Sequence, residues 1–174
     1  MKKLLMIIAL AVSSLTASAQ FEKNTSYLNT SLSGLDLSYS GGQKFRLGLD
    51  ATGGFFVEDN WMAFGRLGFQ HQWLPGQDND VNNVKIGLGG RYYFSQNGIY
   101  LGCALQYEHA NNIDNDLKLM GCKGNYLQLS PEVGYCYHIN HYLSVEPSVY
   151  YDICLNKFTK GSRIGLRLGI GYYF

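Results

Sequence analysis

Residues 162–174 read SRIGLRLGIGYYF, and their apolar side chains recur at every second position. One side of this stretch carries Ile164, Leu166, Leu168, Ile170, Tyr172 and Phe174. The other side carries Arg163, Gly165, Arg167, Gly169, Gly171 and Tyr173. Because successive side chains of a β-strand leave opposite faces of the sheet, this alternation predicts a terminal strand with one apolar face and one charged face.

The same alternation recurs along the chain and predicts eight antiparallel strands. Their ranges are 26–38, 44–57, 61–73, 83–94, 99–109, 125–138, 142–156 and 162–174. Longer polar connections alternate with short turns, and an even strand number places both chain ends on one side. We therefore predict an all-β fold, an eight-stranded antiparallel up-and-down barrel that spans a membrane.

Three positions predict irregular strands. The apolar phase changes at Gly34, which predicts a β-bulge in the first strand. Pro131 and Pro147 fall near the middle of their strands, where proline has no N–H to donate. We expect a local bulge at each proline.

The N-terminus has the pattern of a secretory signal. Lys2 and Lys3 precede an apolar run at residues 4–12, and Ala17 and Ala19 form an A-x-A cleavage site. The run is much shorter than the ~20 residues that a spanning helix needs. We therefore predict a signal peptide at 1–19 and one barrel domain at 20–174.

The composition has few charges and many glycines and tyrosines. Charged residues make up 16% of the chain, against about 25% in soluble domains, and there are 21 glycines and 14 tyrosines. Without Lys2 and Lys3 the domain has 12 basic and 13 acidic residues. This balance gives no basic surface, so we expect no nucleic-acid partner.

Two barrel architectures fit this pattern, since a soluble barrel has its apolar side inside and a membrane barrel has it outside. On the apolar side, aromatic residues cluster at strand ends, as at Trp61, Phe94, Phe69 and Trp73. The charged side is rich in glycine, which suits the narrow lumen of eight strands. Both features favour the membrane barrel.

The charged side then predicts the contents of the lumen. It comprises Arg46, Asp50, Arg66, Lys85, Arg91, Glu108, Glu132, Glu146, Asp152, Arg163 and Arg167. Buried charges need partners, so we predict an ion-pair network that plugs the lumen, completed by glutamines and tyrosines. A charged conduction path is the alternative.

The end of the chain resembles a known family. The run Arg167-x-Gly169-x-x-Tyr172-x-Phe174 is similar to the C-terminal assembly signal of bacterial outer-membrane barrels, and the length resembles the small OmpA/OmpX-like barrels. The resemblance implies recognition by the barrel-assembly machinery and contact with outer-membrane lipid. It also implies a monomer with both termini in the periplasm.

Catalysis is a weaker alternative. Some small barrels modify lipid A with His, Ser and acidic residues near the outer rim, and here His109 and Asp152 fall toward that end. His71 is isolated, and His138 and His141 belong to a short turn on the other side. We assign no catalytic, metal-binding or cofactor-binding residue.

The cysteine spacings match no metal motif. Either all thiols are free, or Cys122 forms a disulfide with Cys154; Cys136 and Cys154 are expected to be out of register.

The sequence thus indicates a non-enzymatic envelope protein whose loops at 75–82 and 111–123 contact surfaces, ligands or partners. A lipid-A-modifying enzyme and a narrow porin remain open.

Overall fold

A computed structural model describes residues 21–36, 45–73, 81–94, 97–111, 125–155 and 163–174. Nine β-strands lie in these ranges, and within them no helix is long and apolar enough to cross a bilayer. The strands are β1 (Ser26–Asp36), β2 (Phe45–Glu58), β3 (Trp61–Trp73), β4 (Val81–Tyr93), β5 (Ile99–Asn111), β6 (Asn125–Tyr135), β7 (Tyr137–His138), β8 (Leu143–Cys154) and β9 (Arg163–Tyr173).

The strands close into an antiparallel barrel. Each pairs with its sequence neighbours, β9 pairs with β1, and β6 pairs with β8. The two-residue β7 extends β6 beyond Cys136 and keeps the same register against β8. Because β6 and β7 together act as one strand, the nine strands form an eight-stranded barrel, which confirms the predicted fold. The predicted signal peptide lies outside the described residues and stays a prediction.

The two ends of the domain meet at the seam between β1 and β9, where "seam" denotes the boundary between two paired strands. The Ser26 N–H donates to the Phe174 carbonyl at 2.8 Å, and the Phe174 N–H donates to the Ser26 carbonyl at 3.0 Å. The last residue of the chain is thus bonded to the first strand. We call this end, which also holds the turn at Asn60, the turn side, and the opposite end the loop side.

Strand alternation separates charged from apolar residues across the wall. The side chains that face outward are largely aliphatic or aromatic; Leu88 and Leu67 are 73% and 60% exposed. The exposed charged side chains of the described residues all lie at the turn side. They are Glu22, Lys23, Glu58 and Asp59. The apolar side of the barrel is therefore its exterior.

The predicted bulge in β1 is confirmed. The pairing of β1 with β9 shifts register between Ser33 and Leu35, so Gly34 is the extra residue. Glycine at this point lets the apolar phase change without a break in the wall.

The expected bulges at the two prolines are wrong. Pro131 pairs with Cys103 and Pro147 with Leu168, and neither register shifts. The missing N–H groups of the two prolines instead interrupt the pairing of β6 with β8. The β6–β8 ladder skips residues 130–131, and it is broken again opposite Pro147, where β6 ends at Tyr135. Each proline removes one N–H donor from this ladder, and the pairing resumes in the same register beyond each gap.

Because both gaps lie on one seam, we predict that the β6–β8 seam is the part of the wall that opens most readily. Backbone amides such as Val133 and Val149 should exchange hydrogen faster than those of β3 and β4, measured by NMR in detergent micelles. The outward-facing change Pro147→Val restores one donor and should slow this exchange. Leu88→Val, on uninterrupted seams, is the matched control. Equal exchange at both seams in the native protein would contradict the prediction.

Candidate functional site: the charged interior

The barrel interior contains nine buried charged side chains among the described residues. They are Asp50, Arg66, Lys85, Arg91, Glu108, Glu132, Glu146, Asp152 and Arg167, four basic and five acidic. These are nine of the eleven predicted lumen residues. Arg46 lies on β2 and Arg163 on β9, but both side chains are outside the described part of the structure.

Glu132, on β6, collects three guanidinium groups. It accepts from Arg91 Nε at 2.6 Å, from Arg167 Nη1 at 2.6 Å and from Arg66 Nη2 at 3.0 Å. The three arginines come from β4, β9 and β3, so this contact crosses the lumen. We call these four residues the Glu132 cluster. Charge-assisted bonds of this length are the strongest class of hydrogen bond in proteins.

Two further carboxylates balance the Glu132 cluster. Arg167 Nε donates to Asp50 Oδ2 at 3.1 Å, and Arg91 Nη1 donates to Glu146 Oε2 at 3.2 Å. The hydroxyl of Tyr27 accepts from Arg91 at 3.0 Å and donates to Glu146 at 2.5 Å. Three guanidinium groups thus meet three carboxylates, which removes the cost of an unpaired buried charge.

Small and aromatic residues shape the space around this cluster. The Arg91 guanidinium lies 4.5 Å from the centre of the Tyr100 ring, and that of Arg167 lies 4.5 Å from the Tyr150 ring. Gly102 faces Glu132, and a Cβ at Gly102 would come within 2.8 Å of Glu132 Cγ. A glycine is therefore required there by the close approach of the carboxylate side chain.

An aromatic layer lies in the interior at the turn side. Phe21 stacks on Tyr93 with ring centres 4.3 Å apart, and it also contacts Phe56 and Tyr173. The Phe21 carbonyl accepts from the Asn60 N–H at 2.8 Å. Sequence reasoning missed Phe21, because a single aromatic residue before the first strand has no periodic partner. Its position just after the predicted cleavage site was the available signal.

The loop-side half of the interior is less tightly joined. Lys85 Nζ lies 3.5 Å from Glu108 Oε2 and 3.6 Å from Asp152 Oδ2. The glutamines predicted to complete the ion-pair network include Gln70, Gln106 and Gln128, which are all buried. Each has at least one amide atom with no hydrogen-bond partner among the described residues.

The residues considered for catalysis are not brought together. His109 is exposed on the outer surface, whereas Asp152 is buried inside and accepts from Ser130 Oγ at 2.6 Å. His138 lies at the turn side, 3.7 Å from Cys136 Sγ. Among the residues with described positions, no three His, Cys, Asp or Glu side chains form a metal-binding group.

Two other sequence predictions concern single residues. Cys122 lies outside the described residues, so its pairing with Cys154 stays a prediction; Cys154 itself pairs in register with Gln128, not with Cys136. In the assembly-signal run, Arg167 and Gly169 are buried inside the barrel, while Tyr172 and Phe174 are exposed outside. Recognition of this run is likewise still a prediction.

We predict that Glu132→Gln destabilises the barrel by about 3–5 kcal/mol, because it leaves three buried guanidinium groups with too few negative partners. Urea unfolding in detergent micelles, followed by tryptophan fluorescence, measures the loss.

The control is Glu58→Gln on the surface. Lys23 Nζ and Glu58 Oε1 are 2.7 Å apart, but both side chains are more than half exposed. This hydrogen bond raises the pKa of Lys23, yet solvent screening leaves such a pair little effect on stability. A loss of stability for Glu58→Gln as large as for Glu132→Gln would contradict the assignment of the cluster.

Comparison with solved structures gives the fold a context. The N-terminal β-barrel domain of Pseudomonas aeruginosa OprF is similar with a TM-score of 0.60 and 16% identity, over 87% of this chain and 98% of that one. The outer membrane protein Ail of Yersinia pestis is similar with a TM-score of 0.59 and 13% identity, over 87% of this chain and 100% of that one. The outer membrane protein OprG of Pseudomonas aeruginosa is similar with a TM-score of 0.57 and 15% identity, over 89% of this chain and 98% of that one.

A scan against protein-family models and a search of curated proteins found no match. The structural likeness covers most of this chain and nearly all of each neighbour, at identities that establish the fold alone. The chain has the fold of the small eight-stranded outer-membrane β-barrels.

Proposed function

We propose that this protein is a non-enzymatic barrel of the bacterial outer membrane, with a sealed lumen and with surface loops that contact other surfaces or partners. Both termini then lie in the periplasm, at the turn side. The observation that carries the proposal is the separation of charge across the wall. Among the described residues, the charged strand side chains are buried inside, except Glu58 at the end of β2, and the outward positions of the same strands are largely apolar.

The exterior fits a bilayer better than water. Its exposed leucines, isoleucines and valines form a band too extensive for a soluble monomer. Aromatic rings border this band at the turn side, where Trp61 and Tyr92 have ring centres 4.9 Å apart and Tyr172 and Phe174 5.7 Å. Such a border is the usual position of aromatic residues at a membrane interface.

The interior supports a sealed lumen. The Glu132 cluster joins β3, β4, β6 and β9 across the barrel, and the aromatic layer around Phe21 lies beneath it. Eight strands leave room for little more than their own side chains. Ions passing through would have to displace several direct charge-assisted bonds at once.

We predict that the purified protein requires detergent or lipid for solubility and shows no steady conductance in planar bilayers. The double variant Glu132→Ala/Arg91→Ala removes one acid and one base, keeps the net charge, and should open measurable conductance. Single-channel recording tests both, and Leu88→Ala on the exterior is the control that should stay silent. Reproducible conductance by the native protein would favour the narrow porin instead.

The proposed surface role concerns the loop side. The neighbour Ail is described as the attachment invasion locus protein of Yersinia pestis. The loops predicted at 75–82 and 111–123 are the longer polar connections of this chain. Adhesion through these loops needs no catalytic group. This agrees with the placement of His109 and Asp152 on opposite faces of the wall.

Deletion of residues 113–122 should therefore abolish adhesion of expressing cells to a host-cell or matrix surface, while the barrel remains folded, since surface loops tolerate truncation. Heat-modifiable migration on gels reports the fold, and counts of attached bacteria report the function. A matched shortening of the 75–82 loop shows which connection is responsible. Unchanged adhesion in both variants would exclude the proposed role, and an accompanying change in lipid A acylation would point to the enzyme.

A further inference from the structure

Both halves of the interior contain buried polar atoms without a partner among the described residues, such as Arg66 Nη1 in the Glu132 cluster and Ser148 Oγ near it. The side-chain amides among them, however, are grouped in the loop-side half. In the turn-side half, charged groups touch directly, at 2.6–3.2 Å. In the loop-side half, four amide side chains are almost completely buried and hold atoms that lack a hydrogen-bond partner among the described residues. These atoms are Gln70 Oε1, Asn83 Oδ1, Gln106 Nε2, and both Gln128 Oε1 and Gln128 Nε2.

These amides form one patch on the inner wall. Gln70 on β3 is in register with Asn83 on β4, and Gln106 on β5 is in register with Gln128 on β6. Lys85 lies two residues from Asn83 on the same face of β4 and is in register with Glu108. We call the space bordered by these four amides and Lys85 the amide chamber.

The unpartnered atoms define what could fill the amide chamber. Gln128 needs both a donor and an acceptor, Gln70 and Asn83 need donors, and Gln106 needs an acceptor. Native proteins rarely leave such buried groups unpaired. A hydroxyl group is the small chemical group that donates and accepts at once, whereas a simple cation or anion would satisfy only one kind of atom.

Lys85 forms the charged border of the amide chamber. Its Nζ is 3.5 Å from Glu108 Oε2 and 3.6 Å from Asp152 Oδ2, so the charges at this border are paired within the protein. The four neutral amides are therefore the groups that define the chemistry of the chamber.

We propose that the amide chamber is a binding site for neutral hydroxyl compounds, occupied by water or by a small polyol. The Glu132 cluster closes it on the turn side, so the chamber is a dead end and not a path through the barrel. The amides fix orientation through hydrogen bonds. Lys85 is paired with both Glu108 and Asp152, so the unpartnered groups that the chamber offers to a ligand are the neutral amides.

The test is NMR of the full barrel domain in lipid nanodiscs, with magnetisation transferred from solvent to side-chain amides. Transfer to the amide protons of Gln106 and Gln128 is expected, together with little or none to Arg91 Nε–H in the Glu132 cluster. Two further samples contain erythritol or sucrose. A shift of the amide signals with erythritol identifies a small polyol as a ligand. No shift with either solute, while transfer from water persists, identifies water as the occupant.

The variant Gln128→Leu keeps nearly the same size but removes both unpartnered atoms, and it should reduce solvent transfer to Gln106 at least twofold. Asn29→Leu, a buried amide on β1 outside the chamber, should leave that transfer unchanged. Absence of transfer to Gln106 and Gln128 in the native protein would overturn the proposal. The solvent-transfer experiment does not depend on the conductance of the barrel. A negative result would therefore exclude the binding site without contradicting the proposed sealed lumen.

Discussion

One buried carboxylate organises the interior of this barrel. Glu132 receives hydrogen bonds from three arginines on three different strands, and each of those arginines is enclosed by a wall whose outer surface is apolar. In such an enclosure a charge cannot turn to solvent, so every arginine needs a carboxylate and every carboxylate a donor. The glycine at position 102 follows from that requirement, since a Cβ there would come within 2.8 Å of Glu132 Cγ.

The wall and its contents impose different kinds of order. The wall is held by backbone ladders that are regular on most seams. Its irregularities are local: the bulge at Gly34, the register shift between Phe56 and Glu58, and the gaps next to Pro131 and Pro147. The contents are held by side chains that come from distant parts of the chain, as with Arg167 and Asp50. A gap in one ladder is therefore expected to change the hydrogen exchange of the backbone amides beside it, but not the pairing of the charged side chains inside.

Much of the architecture could be predicted from the sequence because a period of two is a strong local signal. The alternation at 61–73 coincides with β3. The phase change at Gly34 correctly located the bulge in β1. The prolines could not be interpreted as well. Whether a missing donor causes a bulge or only a gap depends on the neighbouring strand, which local sequence does not specify.

The sequence predicted which charged residues face the interior, but not which acid pairs with which base. Alternation alone put Glu132, Arg66 and Arg91 on the charged side, whereas the choice of Glu132 as the shared acceptor depends on strand tilt and side-chain reach. Phe21 and the unpartnered amide of Gln128 were missed for related reasons. One lies before the first strand, and the other is distinguished only by contacts it lacks.

The position of Arg167 has a consequence for biogenesis. It is the last of the four described interior cations to be synthesised, and it comes from the strand that closes the cylinder. Among the interior side chains that the structure describes, a polypeptide that stops before β9 carries five acids against three bases, and Arg167 reduces this surplus from two negative charges to one. Arg167 thus comes with the closing strand and donates hydrogen bonds to both Glu132 and Asp50, so a polypeptide truncated before β9 lacks both the strand and the donor.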